Sequence, residues 1–303
     1  MSGTPVASVL VIGESLIDIV ERRGVAPEEH VGGSPANVAL GLGRLGRAVR
    51  LRTALGRDER GRRIKDHLEA GGVVVDGDSF SLERTSTARA VIGGDGSAQY
   101  DFDLSWRLEN GIETAGVQFV HVGSVACFLE PGATSILTFL EKARGNVQVS
   151  FDPNIRSEIL TTHAGAARRV AEICALSDVV KLSDEDAAWL YPGRPAEEVL
   201  TRILESGPRL AVMTKGADGA VLSSEHGTTR VAAPTVRIRD TVGAGDTYMA
   251  CLIDQMLDDP STDPESLQTL GNRAAVAAAI TVSRAGADLP TRQEVDRGVL
   301  AAR

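Results

Sequence analysis

A chain of 303 residues with 43% hydrophobic side chains carries enough apolar material for a large buried core. Its 32 basic and 41 acidic side chains leave a net charge of −9, which makes nucleic acid and anionic membrane poor general partners. Cys127, Cys174 and Cys251 lie far apart without a Cys-x-x-Cys, and the five histidines form no His-Glu-x-x-His, so neither disulfides nor a zinc site are expected.

Residues 6 to 12 form an apolar run that predicts a buried strand stopped by Gly13. The run is short, lacks a basic lead-in and continues into Glu14 and Asp18, so no signal peptide or membrane span is expected. A cytoplasmic, reducing setting is the default. Residues 15 to 20 continue extended and place Asp18 among apolar neighbours, where it needs hydrogen-bond donors from a ligand's hydroxyls or from a turn. In Gly32-Gly-Ser-Pro-Ala-Asn37, Ser34 is a natural N-cap and Pro35 fits the first helical position. Gly32 and Gly33 allow close approach to the backbone, and Asn37 can both donate and accept. The helix continues through Gly41-Leu-Gly43-Arg-Leu-Gly46, which satisfies the dinucleotide fingerprint Gly-x-Gly-x-x-Gly. That motif must open a helix after a strand, and here the helix is already under way, so a nicotinamide-dependent oxidoreductase is rejected.

Residues 48 to 55 alternate like a strand, and 59 to 70 predict a helix that turns Ile64 and Leu68 inward and stops at Gly71-Gly72. Residues 85 to 104 form a hairpin with Tyr100, Phe102 and Leu104 on one face and Asp101 and Asp103 on the other. Strand and helix then alternate: 117–123, 132–142, 147–152, 164–175 and 178–182, with Ser183 capping the next helix. This predicts one α/β domain with a mainly parallel sheet, binding ligands beyond the carboxyl ends of its strands. The segments at those ends are Gly123-Ser124, Asp152-Pro-Asn-Ile-Arg156, Ser183-Asp-Glu-Asp186 and Thr214-Lys-Gly-Ala-Asp-Gly219, the last a turn between strands at 210–213 and 220–223. Residues 264 to 285 predict an alanine-rich helix with Asn272, Ala275 and Ala279 along one side.

The most informative stretch is 237 to 257. A strand-like approach reaches Gly243-Ala244-Gly245, and an apolar helix follows with Met249, Ile253, Met256 and Leu257 on one side. Glycines at a helix start leave N–H groups uncovered at the positive end of the dipole, which makes an anion site of backbone alone. Asp246 falls in the first turn, either as a plain cap or as a base beside a phosphoryl group held in that cradle.

Asp240-Thr-Val-Gly-Ala-Gly-Asp246 resembles the second signature of the ribokinase-like (PfkB) carbohydrate kinases, and Gly32 to Gly46 resembles the first. The resemblance runs from Gly13 to Pro290. It implies a ribokinase-like α/β fold with a small β-sheet lid, formed by insertions at about 14–31 and 85–106 of a single kinase domain (1–303). It implies that Asp246 is the catalytic base and that Gly243, Ala244 and Gly245 form the anion hole. Asp18, Gly32, Gly33 and Asn37 would contact the sugar, with Tyr100 and Phe102 of the lid, Arg107 at its base and Arg156 beside it. Ser183, Thr214, Gly216, Gly219, Gly243, Gly245 and Asn272 would bind the nucleotide, ATP. Asp186 would serve Mg²⁺, and Asp240 with Thr241 a monovalent cation such as K⁺. Here Ser183 and Asp186 stand where the family has Asn-x-x-Glu, a departure that weakens the metal assignment.

Gly13-Glu-Ser-Leu-Ile-Asp18 and Phe151-Asp-Pro-Asn-Ile-Arg156 are similar to segments of bacterial fructokinases and 2-keto-3-deoxygluconate kinases. Fructose phosphorylated at a primary hydroxyl is therefore the first expectation, with ketodeoxygluconate next and ribose or a nucleoside further off. Asp101 and Asp103, if they line the pocket rim, would repel an acid sugar and favour fructose. The absence of a Walker motif fits this family. A non-catalytic sugar-binding relative would lack the base, which Asp246 supplies. The partners implied are sugar and ATP, without nucleic acid or membrane, in a monomer or a homodimer formed through the lid.

Overall fold

The computed structural model describes residues 8–93, 98–108, 111–160 and 162–301. In chain order the elements begin with strands β1 (Val9–Ile12), β2 (Leu16–Arg22) and β3 (Glu28–Gly32), then helix α1 (Ser34–Arg44), β4 (Val49–Arg52), α2 (Glu59–Ala70) and β5 (Val73–Val75). They continue with β6 (Thr87–Ile92), β7 (Ala98–Asp103), β8 (Phe119–Gly123), α3 (Gly132–Ala143), β9 (Gln148–Asp152), α4 (His163–Cys174) and β10 (Val179–Ser183). The last third holds α5 (Asp184–Leu190), α6 (Ala196–Glu205), β11 (Leu210–Thr214), β12 (Ala220–Ser224), β13 (Gly227–Val231), α7 (Ala244–Asp258), α8 (Pro264–Val282) and α9 (Arg292–Ala301).

Among the described residues the main sheet has the order β13-β12-β11-β10-β9-β8-β1-β4-β5. All its pairs are parallel except β11/β12 and β12/β13. Side chains alternate across it. Val9 and Val11 of β1 face a core made with α1, α7 and α8, including Leu40, Met249 and Leu252. Leu10 and Ile12 face the opposite core, with Ile136, Leu140, Val170, Ile173 and Leu200. A strand buried on both faces must be apolar throughout, which is why β1 is so legible. No described helix is long and apolar enough to cross a membrane.

The expected hairpin at 85–104 does not join the main sheet. It forms a second sheet in the order β3-β2-β6-β7, in which β2 and β6 run parallel and the two outer pairs antiparallel. Several expectations need correction. Gly33, not Ser34, is the N-cap of α1, at φ 105°, and Ser34 is already helical. A Cβ on Gly33 would lie 2.6 Å from the Glu14 carbonyl oxygen, so both conformation and space require glycine there. The approach at 237–240 is a loop, held by the N–H groups of Arg239 and Asp240 donating to the Val282 carbonyl. The fingerprint glycines are packing points: a Cβ on Gly41 would press on Leu289 and Ala250, and one on Gly43 on the Gly71 carbonyl.

Asp58 caps α2 and reaches the entry to β6. One oxygen accepts from the N–H of Gly61 at 2.8 Å and the hydroxyl of Thr85 at 2.6 Å, and the other from the N–H of Thr85 at 2.9 Å. Asp58→Ala should lower unfolding free energy by about 1–2 kcal/mol, measured by urea denaturation at neutral pH.

Candidate active site

The first turn of α7 is shaped by Gly243, which sits in the left-handed region at φ 78° and ψ 0°. A Cβ there would stand 2.9 Å from that of Ala287. The Thr247 hydroxyl locks the turn, lying 2.8 Å from both the Gly243 carbonyl and the Thr281 hydroxyl of α8. The Ala244 N–H is directed to the Thr241 carbonyl at 3.3 Å, so it leaves the expected anion hole. Among the described residues the N–H groups of Gly243, Gly245 and Asp246 find no protein acceptor. The cradle therefore has three free donors.

Asp246 is buried beside it. Its carboxylate accepts the Ser34 hydroxyl at 2.6 Å and the Asn37 side-chain amide at 2.8 Å. Asn37 thus holds Asp246 through its amide nitrogen, and Ser34 does the same through its hydroxyl instead of capping. Burial raises the Asp246 pKa, opposed by these two bonds and by the charges of Lys181 and Arg156. A carboxylate so placed is a stronger base than an exposed one.

Asp18 stands on β2 of the small sheet, and burial lifts its pKa to about 6 against the charges of His30 and Arg156. Gly32 makes room for this carboxylate, since a Cβ there would lie 2.0 Å from Oδ2. Asp18 is in register with Ala88 and Phe102, and Val20 with Ala90 and Tyr100, so both aromatic rings share Asp18's face of the lid. Their rings stack with centroids 6.1 Å apart. Asp101 and Asp103 fall on the opposite face and do not line the rim, which removes the repulsion expected of them. Arg107 is exposed beside the buried Trp106.

Arg156 is exposed, and its guanidinium donates to the Asn154 side-chain oxygen at 2.7 Å. Its charge acts on Glu14, Asp18 and Asp246 together. Glu14 was missed as a site residue. It is buried, accepts the Ala126 N–H at 2.9 Å, and has its pKa raised by desolvation. Its signal was a carboxylate directly after the Gly13 that ends a buried strand. Lys181 and Asp152 were missed as a pair: they form an ion pair at 2.9 Å, each side chain 3% exposed. A lysine inside the apolar run Val179-Val-Lys-Leu182 was the available sign.

The carboxylates expected near cations are engaged with backbone N–H groups. Asp186 Oδ1 accepts the Ile155 N–H at 2.7 Å and Oδ2 the Ser183 N–H at 2.9 Å, while the Ser183 hydroxyl accepts the Asp186 N–H. This is a capping box that also ties down the Arg156 loop. Asp240 uses its two oxygens on the N–H groups of Val242 and Gly286, and clasps the α7 loop to the turn after α8. Among the described residues no group of three or more His, Cys, Asp or Glu is arranged to hold a metal.

Thr214 and Gly216 stand at the end of β11 near Ser183 of β10, with open space around Gly216. Gly219 is demanded by the turn, since at φ 84° a Cβ would lie 2.0 Å from the Val231 carbonyl oxygen. Asn272 is exposed on α8 and accepts from Gln268 at 3.0 Å. Thr214, Gly216 and Gly219 thus share the turn at the carboxyl end of β11, while Asn272 lies within α8.

The model of the pfkB family of carbohydrate kinases matches residues 6–294. The chain belongs to this family. Probable fructokinase-7 of Arabidopsis thaliana is 30% identical over 95% of this kinase and 90% of its own length. A fructokinase of Escherichia coli is 29% identical, covering 96% of this kinase and 98% of its own length. The crystal structure of fructokinase from Xylella fastidiosa superimposes with a TM-score of 0.85 at 25% identity, over 98% of this kinase and 100% of that chain. A fructokinase of Vibrio cholerae, in a form with fructose, ADP and calcium ion bound, gives 0.81 at 25% identity over 97% and 99%. The fold is thus ribokinase-like, with the main sheet and lid described above.

The raised Asp18 pKa has a consequence for the kinase. Ionising Asp18 costs the folded state: the cost is absent below the ordinary 3.8 and complete above about 6. Asp18→Asn should leave stability unchanged near pH 4 and raise it by on the order of 1–3 kcal/mol near pH 8, compared by urea denaturation at the two pH values.

Proposed function

We propose that the kinase transfers the γ-phosphoryl group of ATP to a primary hydroxyl of fructose. The observation that carries this reading is the meeting of the buried Asp246 carboxylate with three free N–H groups at the start of α7, facing a lid that presents Asp18. Asp246 takes the hydroxyl proton as the sugar oxygen bonds to the γ-phosphorus. The bond from that phosphorus to the β,γ-bridging oxygen breaks, and ADP leaves with the electron pair. The N–H groups of Gly243, Gly245 and Asp246 point where charge on the transferring group must be held. Asp18 and Arg156 orient the sugar, with Gly32, Gly33 and the Tyr100–Phe102 face around it, while Thr214, Gly216 and the Ser183 turn border the nucleotide.

Mg²⁺, entering with ATP, would offset phosphate charge while held mainly by phosphates and water, which fits the commitment of Asp186 to backbone. A monovalent cation near Asp240 and Thr241 would have to share oxygens already engaged by backbone N–H groups.

The choice of a neutral ketose over an acid sugar rests on charge. Arg156 is the countercharge shared by Glu14, Asp18 and Asp246, while Lys181, buried in its pair with Asp152, adds its charge at Asp246. A substrate carboxylate would enter a cleft already rich in carboxylates. Across a panel of sugars and nucleosides in a coupled ADP-release assay, fructose should give the highest kcat/KM. A value for ketodeoxygluconate about tenfold above it would reverse the ranking and leave the kinase reading standing.

Asp246→Asn keeps size and most packing but cannot take the proton. Its kcat should fall by roughly two to four orders of magnitude, with fructose and ATP binding retained in calorimetry. Near-normal turnover would remove Asp246 from the mechanism.

A further inference from the structure

Lys181 lies in β10 between Val180 and Leu182, is 3% exposed, and belongs to no step described so far. Burying an ammonium and a carboxylate together rarely stabilises a fold more than apolar side chains of the same size would. The pair with Asp152 therefore calls for a reason beyond packing. Its position supplies one: a Cβ on Gly245 would stand 3.4 Å from the Lys181 nitrogen, so the ammonium lies directly against the first turn of α7, next to Asp246.

The charged neighbours are unbalanced. Asp152 from β9, Asp186 from α5 and Asp246 from α7 all act on Lys181. From α1, Asp246 meets only the neutral Ser34 and Asn37, and from the loop after β9 the Arg156 guanidinium acts on it from the cleft side. On β8, His121 is neutral: burial, and then the charge of Lys181, push its pKa down to about 3, and its Nδ1 lies 3.0 Å from the Ser150 hydroxyl. Lys181 is thus the buried cation set among three carboxylates, fixed in place by one of them.

We propose that Lys181 is a positioning residue for phosphoryl transfer, an ammonium anchored by Asp152 behind the Gly245 turn that keeps Asp246 ionised and ready to accept the proton. This rests on the reading of Asp246 as the base.

The test is the pH profile of kcat at saturating fructose and ATP, where the titration of Asp18 in sugar binding drops out. Asp152→Asn combined with Lys181→Met removes both buried charges and leaves neither unpaired. The acid limb of kcat should move up by about one to three pH units, with turnover recovering toward the wild-type plateau at high pH. Should the double variant not fold, Lys181→Gln, which can still donate to Asp152, carries the same readout and the same expected shift. An unmoved acid limb, or a loss uniform across pH, overturns the proposal even if the melting temperature falls. Asp246→Asn run in the same buffers separates the two readings. Activity there removes the base itself, whereas an inactive Asp246→Asn beside an unmoved limb in the Lys181 variants removes only the role of Lys181.

Discussion

Two hydrogen bonds join the ends of the chain: Ser34 and Asn37 at the start of α1 donate to Asp246 at the start of α7, across 212 and 209 residues of sequence. A buried carboxylate is tolerable only when donors replace the water it has lost. These two donors come from a helix whose entry is fixed by Gly33, and Gly33 adjoins the lid strand that faces Asp18. The placing of α7 against α1 and the small sheet therefore follows from one requirement, that Asp246 be satisfied without being neutralised. The close packing of α1 on α7, which Gly41 permits, keeps the two helix starts from drifting apart.

Charge is distributed unevenly around that contact. On the cleft side a single exposed guanidinium, Arg156, faces several carboxylates. Behind the helix turn Lys181 faces several more. The protein's overall acidity is thus repeated inside its most buried region, and the backbone dipole of α7 is what makes an anion welcome there. Such a site suits a ligand whose negative charge is delivered to the helix start and nowhere else.

The parts legible in the sequence were those whose chemistry is local. The turn at Gly243, the first-turn carboxylate, the β1 core run and the α2 stop at Gly71-Gly72 are each defined by residues a few positions apart. Helix α6 was equally readable, with Val199, Leu200 and Ile203 on one side, and was passed over. Strand β3 was harder, because Glu28-Glu-His-Val is polar and pairs only along the lid. What local pattern could not reveal was partnership across the sheet. The Lys181–Asp152 pair needs the β9/β10 neighbourhood, the true use of Ser34 and Asn37 needs α7, and the clasp roles of Asp186 and Asp240 need Ile155 and Gly286. Asp101 and Asp103 were read correctly as one face of a strand, but which face carries Asp18 was set only by the β2/β6 and β6/β7 registers.

The mixed pairing of the small sheet constrains how it can move. Because β2 and β6 run parallel, the chain enters and leaves this sheet twice, through 13–15, Gly33, 81–86 and the stretch that begins at 104. Two of these crossings are buttoned together, since the Ser86 hydroxyl accepts the Ser105 N–H at 3.0 Å and donates to its carbonyl at 3.2 Å. A flap hung by one tether would sample many orientations and lose that freedom on every turnover. This one is suspended from four points, so most of that orientational freedom is already gone when the chain folds.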